Sequence, residues 1–332
     1  MVSTSVRTFA RRGGSLSGRI GVVVVSHDSA EDLPACLAAL TAASGVERVV
    51  VVDNASRDAS REVVGAVEDS RVSLVVEAVN SGFSGGCNRG FRALADDLDT
   101  LAFLNPDVVV ESDCLARCAE VLRADERLAG VAPRLMRGDG LTVDSVGQVL
   151  NPLTLEVVDR GYGAPPTPEL LRAKIVLAAC GALAVFRRSA LEAVADEAGP
   201  WAEDYFCFWE DLEIGWRLAN NGWRIQTLPE AVARHRRGAG AGTGRGPLRW
   251  RRTPQLEACI LTNRWMTLIR HLQPLDLVVR LPVLLLWDPG LLVAGAVRRP
   301  SLIGHLRRRW PKVINEWRNR RRSRRRRLRE LL

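Results

Sequence analysis

The chain has 332 residues, 47% hydrophobic and 26% charged, which allows a sizeable core and excludes wholly disordered, collagen-like and mini-protein classes. Its 47 basic and 38 acidic side chains give a net charge of +9. The charge is uneven: Arg298 to Leu332 holds 15 basic and 2 acidic residues, so the body before it is mildly acidic and offers nucleic acid no basic platform.

In chain order, Arg7, Arg11 and Arg12 are followed by a Gly/Ser-rich stretch, not an apolar run, so residues 1–18 read as a short disordered leader and not as a signal peptide. Ile20–Ser26 (IGVVVVS) is a continuous β-branched run, as buried parallel strands require. Leu33, Leu37 and Leu40 recur at helical spacing. Arg48–Asp53 (RVVVVD) predicts a second strand, with Ser56 capping the next helix, and Val72–Val76 a third. Ser84–Leu94 reads as a glycine-opened helix, Thr100–Leu104 as a fourth strand, Cys114–Leu122 as a helix and Leu128–Val131 as a fifth strand. The pattern blurs over 134–174, through a turn at Gly138-Asp139-Gly140 and a loop at Pro165-Pro166-Thr167-Pro168. Order returns at Ile175–Phe186. Glu210–Asn220 predicts a helix stopped by Gly222, Trp223–Leu228 a strand, and 238–246 (GAGAGTGRG) a linker or lid. Strand and helix alternate with short connections, which predicts a doubly wound, mostly parallel, Rossmann-like α/β sheet. Seven cysteines without a C-x-x-C pair read as reduced, cytosolic thiols, with Cys114 and Cys118 on one buried helix face.

Polar residues fall at the carboxyl ends of the strands, where such sheets bind ligands: Ser26-His27-Asp28, Asp53-Asn54, Asn80-Ser81-Gly82 and Asn105-Pro106-Asp107. Asp53 serves there as a turn former or as an acceptor for a ribose hydroxyl or nucleobase N–H. NSGFSGGCNRG (80–90) has glycines for close backbone approach and a helix N-terminus for phosphate, but is neither G-x-G-x-x-G nor a P-loop. Asp107 offers an oxygen to Mg²⁺ or Mn²⁺, which take further ligands from substrate phosphates and water. Trp209-Glu210-Asp211-x-Glu213 puts three carboxylates at a helix start, where acidic residues commonly answer the helix dipole. Asp211 is the better catalytic candidate, because Tyr205, Phe206, Phe208 and Trp209 provide a water-poor setting that raises a carboxylate pKa toward general-base work. His235 is either structural or a second metal ligand.

In this order the segments 22–40, 50–58, 80–90, 104–108, 181–191, 204–225 and 229–240 resemble the family 2 glycosyltransferases of GT-A fold, nearest the bacterial rhamnosyltransferase-like branch. TNRWMTLIRH (262–271) resembles the arginine-containing helix that follows, so coverage runs from about 20 to 272. The resemblance implies donor contacts at Ser26, Asp53, Asn80, Gly82, Phe83, Gly85, Gly86, Asn88 and Asn105, with a dTDP- or UDP-sugar as donor. It implies a divalent metal, Mg²⁺ or Mn²⁺, at Asp107 and His235, and a catalytic Asp211 with Glu210 beside it. Gly181, Ala182 and Trp209 would border the acceptor. The metal motif reads Asn-Pro-Asp where the family pattern is Asp-x-Asp, and GAGAG replaces the serine often found after the histidine. A nucleotidyltransferase would carry a basic phosphate-gripping loop where Ser26-His27-Asp28 stands. A non-catalytic nucleotide-sugar binder would not need the Glu210-Asp211 pair.

The resemblance divides the chain into a catalytic unit over 19–272, with a donor half to 133 and an acceptor half from 134, and a helical, Arg-rich extension over 273–332. Arg280, Pro282, Asp288 and Pro289 interrupt Leu275–Val297, whose longest uncharged runs are 7 and 9 residues. The sequence therefore argues against a transmembrane span and for an interfacial segment. Apolar burial followed by a polybasic run predicts attachment to the anionic inner face of the cell membrane. There the implied acceptor, lipid-linked or polysaccharide, would be met; no nucleic-acid partner is expected.

Overall fold

The computed structural model describes residues 19–237, 252–318 and 327–330. The predicted leader, the glycine-rich linker and the arginine run 319–326 lie outside these.

The first half alternates strand and helix: β1 (Ile20–Ser26), α1 (Leu33–Ala42), β2 (Val46–Asn54), α2 (Ser60–Gly65), β3 (Val72–Glu77), α3 (Gly82–Ala93), β4 (Thr100–Leu104), β5 (Val108–Val110), α4 (Cys114–Ala124) and β6 (Leu128–Arg137). Then come β7 (Val143–Ser145), a hairpin of β8 (Gln148–Leu150) and β9 (Val157–Asp159), β10 (Ile175–Val176), β11 (Leu183–Arg187), α5 (Arg188–Val194), α6 (Glu210–Asn220) and β12 (Arg224–His235). The chain closes with α7 (Pro254–His271), α8 (Pro274–Arg298) and α9 (Ser301–Arg318). One sheet runs through both halves in the order β10-β12-β6-β11-β4-β1-β2-β3. Six of these strands share a direction, and β11 runs against them between β6 and β4. The predicted architecture is therefore the observed one.

The valine runs explain the layering. Successive residues of a strand face opposite sides. Val22, Val24, Val49 and Val51 accordingly join the core beneath α1 and α4, while Val23, Val25, Val50 and Val52 join the core beneath α3, α5 and α6. β12 is longer than predicted because an irregularity between Leu228 and Val232, at Pro229, lets it resume pairing with β6 and carries it to His235.

Two local expectations are corrected. Ser56 does not cap a helix: α2 starts at Ser60, and the Ser56 hydroxyl accepts from the Asp28 N–H at 3.0 Å. The prolines do not interrupt the apolar segment: α8 runs unbroken through Pro282 and Pro289. By length and composition alone it suffices to cross a membrane.

The glycines of α3 serve packing. A Cβ at Gly86 would lie 2.5 Å from Val25, and one at Gly90 2.2 Å from Val23, so the helix rests directly on β1. Gly90→Ala should destabilise the fold by about 1–3 kcal/mol, because the overpacking outweighs the gain in helix propensity. Urea unfolding checks this; an unchanged midpoint would contradict the close packing.

Candidate active site

The carboxyl edge of β1 and β2 supplies two buried polar groups without a partner among the described residues, the Ser26 hydroxyl and Asp53 Oδ1. They are neighbours in register. The other Asp53 oxygen is held by Arg61 Nε at 2.7 Å. A buried, half-satisfied carboxylate asks for a donor, and a nucleobase N–H or ribose hydroxyl is of that kind.

The glycine loop does not present an open helix N-terminus. Asn54 Oδ1 accepts from Ser81 N at 2.9 Å, and Asn54 Nδ2 donates to Gly82 O at 2.8 Å. Asn80 Oδ1 accepts from Gly82 N at 2.8 Å, and the Phe206 carbonyl accepts from Ser84 N at 3.3 Å. The predicted phosphate cradle is thus corrected to a capped end. Gly82, at φ +75°, lets Phe206 approach; Gly85 backs onto Ser81; Phe83 is partly buried against the core. Asn88 is likewise not open to a ligand: its amide exchanges hydrogen bonds with the backbone of Trp201 at 2.8 and 2.9 Å.

A second corner forms where β5 pairs with the end of β12. Register places His235 opposite Val108, next to Asp107, and His235 Nε2 lies 3.3 Å from Asp107 Oδ1. On the other side His235 Nδ1 meets the buried Asp144 of β7 at 2.7 Å. Burial pulls the imidazole down, but the two carboxylates outweigh it and leave it at about 9. Among the described residues, no group of three or more His, Cys, Asp or Glu side chains is arranged to hold a metal ion unaided. Asp107 and His235 nonetheless fit a divalent cation that takes its remaining ligands from a diphosphate. Asp144 fixes the imidazole through Nδ1, as carboxylates behind metal-bound histidines do, and Nε2 faces Asp107.

Asp211 opens α6. Its Oδ2 accepts from Gly181 N at 3.0 Å and its Oδ1 from Leu212 N at 2.8 Å. Burial lifts its carboxyl to about 6, with Asp159 adding to the rise and the two N–H groups opposing it. Ala182 O, one residue on, accepts from Asn105 N at 3.1 Å. The Gly181–Ala182 backbone therefore ties the Asn105-Pro106-Asp107 turn to Asp211. A polar chain makes the same connection: Asp107, His235, Asp144, Arg237, Asp159 and Gln148 follow one another to Asp211. Glu210 is buried, and burial pushes its carboxyl well up, beside Asp211 and Cys259.

The segment before α6 is strained. Phe206, Phe208 and Trp209 have φ of 65°, 67° and 72°, a region that non-glycine residues avoid. Asn263 of α7 holds it, its Nδ2 donating to the carbonyls of Tyr205, Cys207 and Phe208 at 2.9, 2.9 and 2.7 Å. Arg309 of α9 donates to Asn263 Oδ1 at 2.6 Å. Trp209 is buried, 5.8 Å beneath the guanidinium of Arg264. Asn263→Ala should lower kcat about 10²-fold through misplacement of Asp211 while leaving donor affinity within about threefold. Equal losses in kcat and donor affinity would contradict a positioning role.

Sequence reasoning placed Asn54 at the strand edge without a role of its own, and missed Asp144, Gln148, Asp159, Arg237 and Asn263. Asp144, Gln148 and Asp159 sit on three-residue strands too short for periodicity to find.

The sequence profile described as Glycosyl transferase family 2 matches residues 21–195, just over half of the chain. The low-salt glycan biosynthesis hexosyltransferase Agl10 of Haloferax volcanii is 25% identical over 210 residues, 62% of this chain and 63% of that protein. The succinoglycan biosynthesis protein ExoO of Rhizobium meliloti is 36% identical over 111 residues, 33% of this chain and 31% of that protein. The chain thus spans less than two thirds of either relative. Among solved structures, GalNAc-T7 with UDP, GalNAc and Mn2+ superposes with a TM-score of 0.57 at 14% identity, covering 77% of this chain and 48% of the other. The mannosyltransferase PcManGT from Pyrobaculum calidifontis with GDP-Man and Mn2+ does so with a TM-score of 0.54 at 21% identity, covering 86% and 75%. S. aureus TarS 1-349 with UDP-GlcNAc gives 0.52 at 14%, covering 76% and 66%. These structures share the fold, the GT-A arrangement. The profile covers more than half of the chain, and the chain belongs to glycosyl transferase family 2.

Proposed function

We propose that the protein transfers a sugar from a nucleoside-diphosphate donor to a hydroxyl of a lipid-linked or polysaccharide acceptor, with inversion, in cell-envelope glycan synthesis. The observation that carries this reading is the Gly181–Ala182 bridge, which ties Asp211 at the start of α6, its carboxyl lifted by burial to about 6, to the Asn105-Pro106-Asp107 turn.

Asp53, with an unpartnered buried oxygen, receives the nucleoside. Asp107 and His235 would hold a divalent metal, whose charge would offset that on the diphosphate leaving group. Asp211 takes the proton from the acceptor hydroxyl. The oxygen bonds to the anomeric carbon from the face opposite the diphosphate, the bond from that carbon to the phosphate oxygen breaks, and the nucleoside diphosphate departs with the electron pair. No covalent enzyme intermediate is needed. The donor is a dTDP- or UDP-sugar, rhamnose first by resemblance, and the protein works peripherally on the cytoplasmic membrane face.

Thermal shift with a panel of nucleoside diphosphates, with and without Mn2+, followed by mass spectrometry of lipid-linked products, tests this reading. A metal-dependent shift and a mass increase of one sugar are expected; a shift without any transfer would leave a binding protein. Asp107→Ala should weaken donor binding about tenfold or more in the presence of Mn2+ and change it little in its absence. Equal affinity for the donor with Mn2+ would contradict ligation at Asp107.

A further inference from the structure

We infer that α8 lies in the plane of one anionic leaflet with its outer face among the lipids, and seats the protein on the bilayer without crossing it. Resting on the proposed lipid-linked acceptor, this names the surface that brings the enzyme to it.

The helix is inside out. Leu275, Val279, Leu286, Val293 and Val297 recur every four or seven residues along one stripe, Leu285 flanks it, and all six are 51–80% exposed. Three of its four charged residues, all but the terminal Arg298, turn toward the body. Asp276 Oδ2 accepts from Leu328 N at 3.0 Å, Arg280 Nε donates to Pro152 O at 3.0 Å, and Asp288 Oδ1 meets Arg264 Nε at 2.8 Å. A helix on a water-exposed surface shows the opposite arrangement, and an apolar stripe of this length marks a partner.

Three features choose the leaflet over a span. First, the helix is fastened at its start, its middle and just past its end, where Arg299 meets Glu257 at 3.6 Å. A crossing helix about 37 Å long would pull the catalytic body into hydrocarbon. Second, Pro282 and Pro289 have no N–H, so the carbonyls of Val278 and Leu285 one turn earlier lose their helical partners. Mid-bilayer that costs several kcal/mol each, while water reaches them at the headgroup boundary. Third, α9 beside it exposes Arg307, Arg308, Trp310 and Trp317, and the sequence continues into the arginine run. Cations and aromatic rings next to an apolar stripe match an anionic interface.

The surface also leads to the site. The β8–β9 hairpin exposes Leu153 at its tip, where Arg264 donates to the carbonyls of Thr154 and Leu155 at 2.6 Å. Its base carries Gln148 and Asp159, next to Asp211. One hairpin thus connects the lipid-facing layer with the catalytic carboxylate.

The test uses the full chain and vesicle flotation. With about 30% phosphatidylglycerol in phosphatidylcholine the wild type should float, and with phosphatidylcholine alone it should float much less. Leu285→Asp with Leu286→Asp should reduce flotation about tenfold or more, while the thermal shift with UDP confirms a folded donor site. Orientation is read on vesicle-bound Pro274→Cys and Arg298→Cys variants with a membrane-impermeant maleimide added outside. Labelling at both ends is expected; protection of either end, unimpaired flotation of the double variant, or no flotation of the wild type would overturn the inference. Flotation without response to any nucleoside diphosphate would count against the proposed transfer reaction and support the docking surface.

Discussion

Asp211→Asn should lower kcat about 10³-fold, within the range for removal of a general base, and leave nucleoside-diphosphate affinity unchanged. The amide keeps the shape of the carboxyl and can still accept from Gly181 N, so Ala182 and Asn105 stay in place. What disappears is a group able to take a proton near neutral pH. Burial lifts that carboxyl to about 6, and a base proposed at this position works deprotonated. Wild-type kcat/KM should therefore fall tenfold per pH unit below about 6 and level off above it. The residual rate of the Asp211→Asn variant should show no such limb. Calorimetry with the nucleotide and a pH series of initial rates check both parts. A variant retaining near-normal turnover would remove Asp211 from the chemistry.

The second large effect concerns stability. Glu213, also in the first turn of α6, reads in the sequence as a partner of the helix dipole. In the structure it is fully buried and binds Arg217 at 2.8 Å, Arg270 at 3.0 Å and His271 at 3.1 Å. Burial raises its carboxyl, but the arginines and the histidine outweigh this and hold it well below its ordinary value of 4.5. Glu213→Gln leaves the guanidinium groups without their shared countercharge and should cost about 3–5 kcal/mol. A carboxyl depressed on folding contributes stability that is present above its unfolded pKa and lost as pH falls toward its folded one. The gap between wild type and variant should therefore be constant from pH 6 to 8 and narrow below about 4.5. Denaturant unfolding at several pH values measures it; a gap that widens in acid would contradict the ion cluster.

The contrast between Asp211 and Glu213 shows what was legible in the sequence. The β-branched runs at Ile20–Ser26 and Arg48–Asp53 state their burial outright, because only a strand covered on both faces is apolar at every position. Strand ends then fix where a ligand edge lies, so Ser26, Asp53, Asn105 and Asp107 could be named before any fold was seen. Roles that depend on what a residue packs against could not. Gly86 and Gly90 look like phosphate-loop glycines until Val25 and Val23 are known to lie beneath them. Asn88 looks like a donor contact until its amide is found on Trp201. The two prolines of α8 look like breaks until both prove to lie within a continuous helix tied to the body on its other side. The three-residue strands β7, β8 and β9 gave no periodic signal, and with them Asp144 and Asp159 were hidden.

The most direct test of the proposal that Asp107, His235 and Asp211 serve one donor site is anomalous scattering from Mn2+ in crystals of the full chain grown with a UDP- or dTDP-sugar. The expected peak lies in coordination contact with Asp107 and His235, with the diphosphate completing the ion's shell and the anomeric carbon turned toward Asp211. A nucleotide bound with its sugar directed away from Asp211, or a peak remote from Asp107, would contradict it.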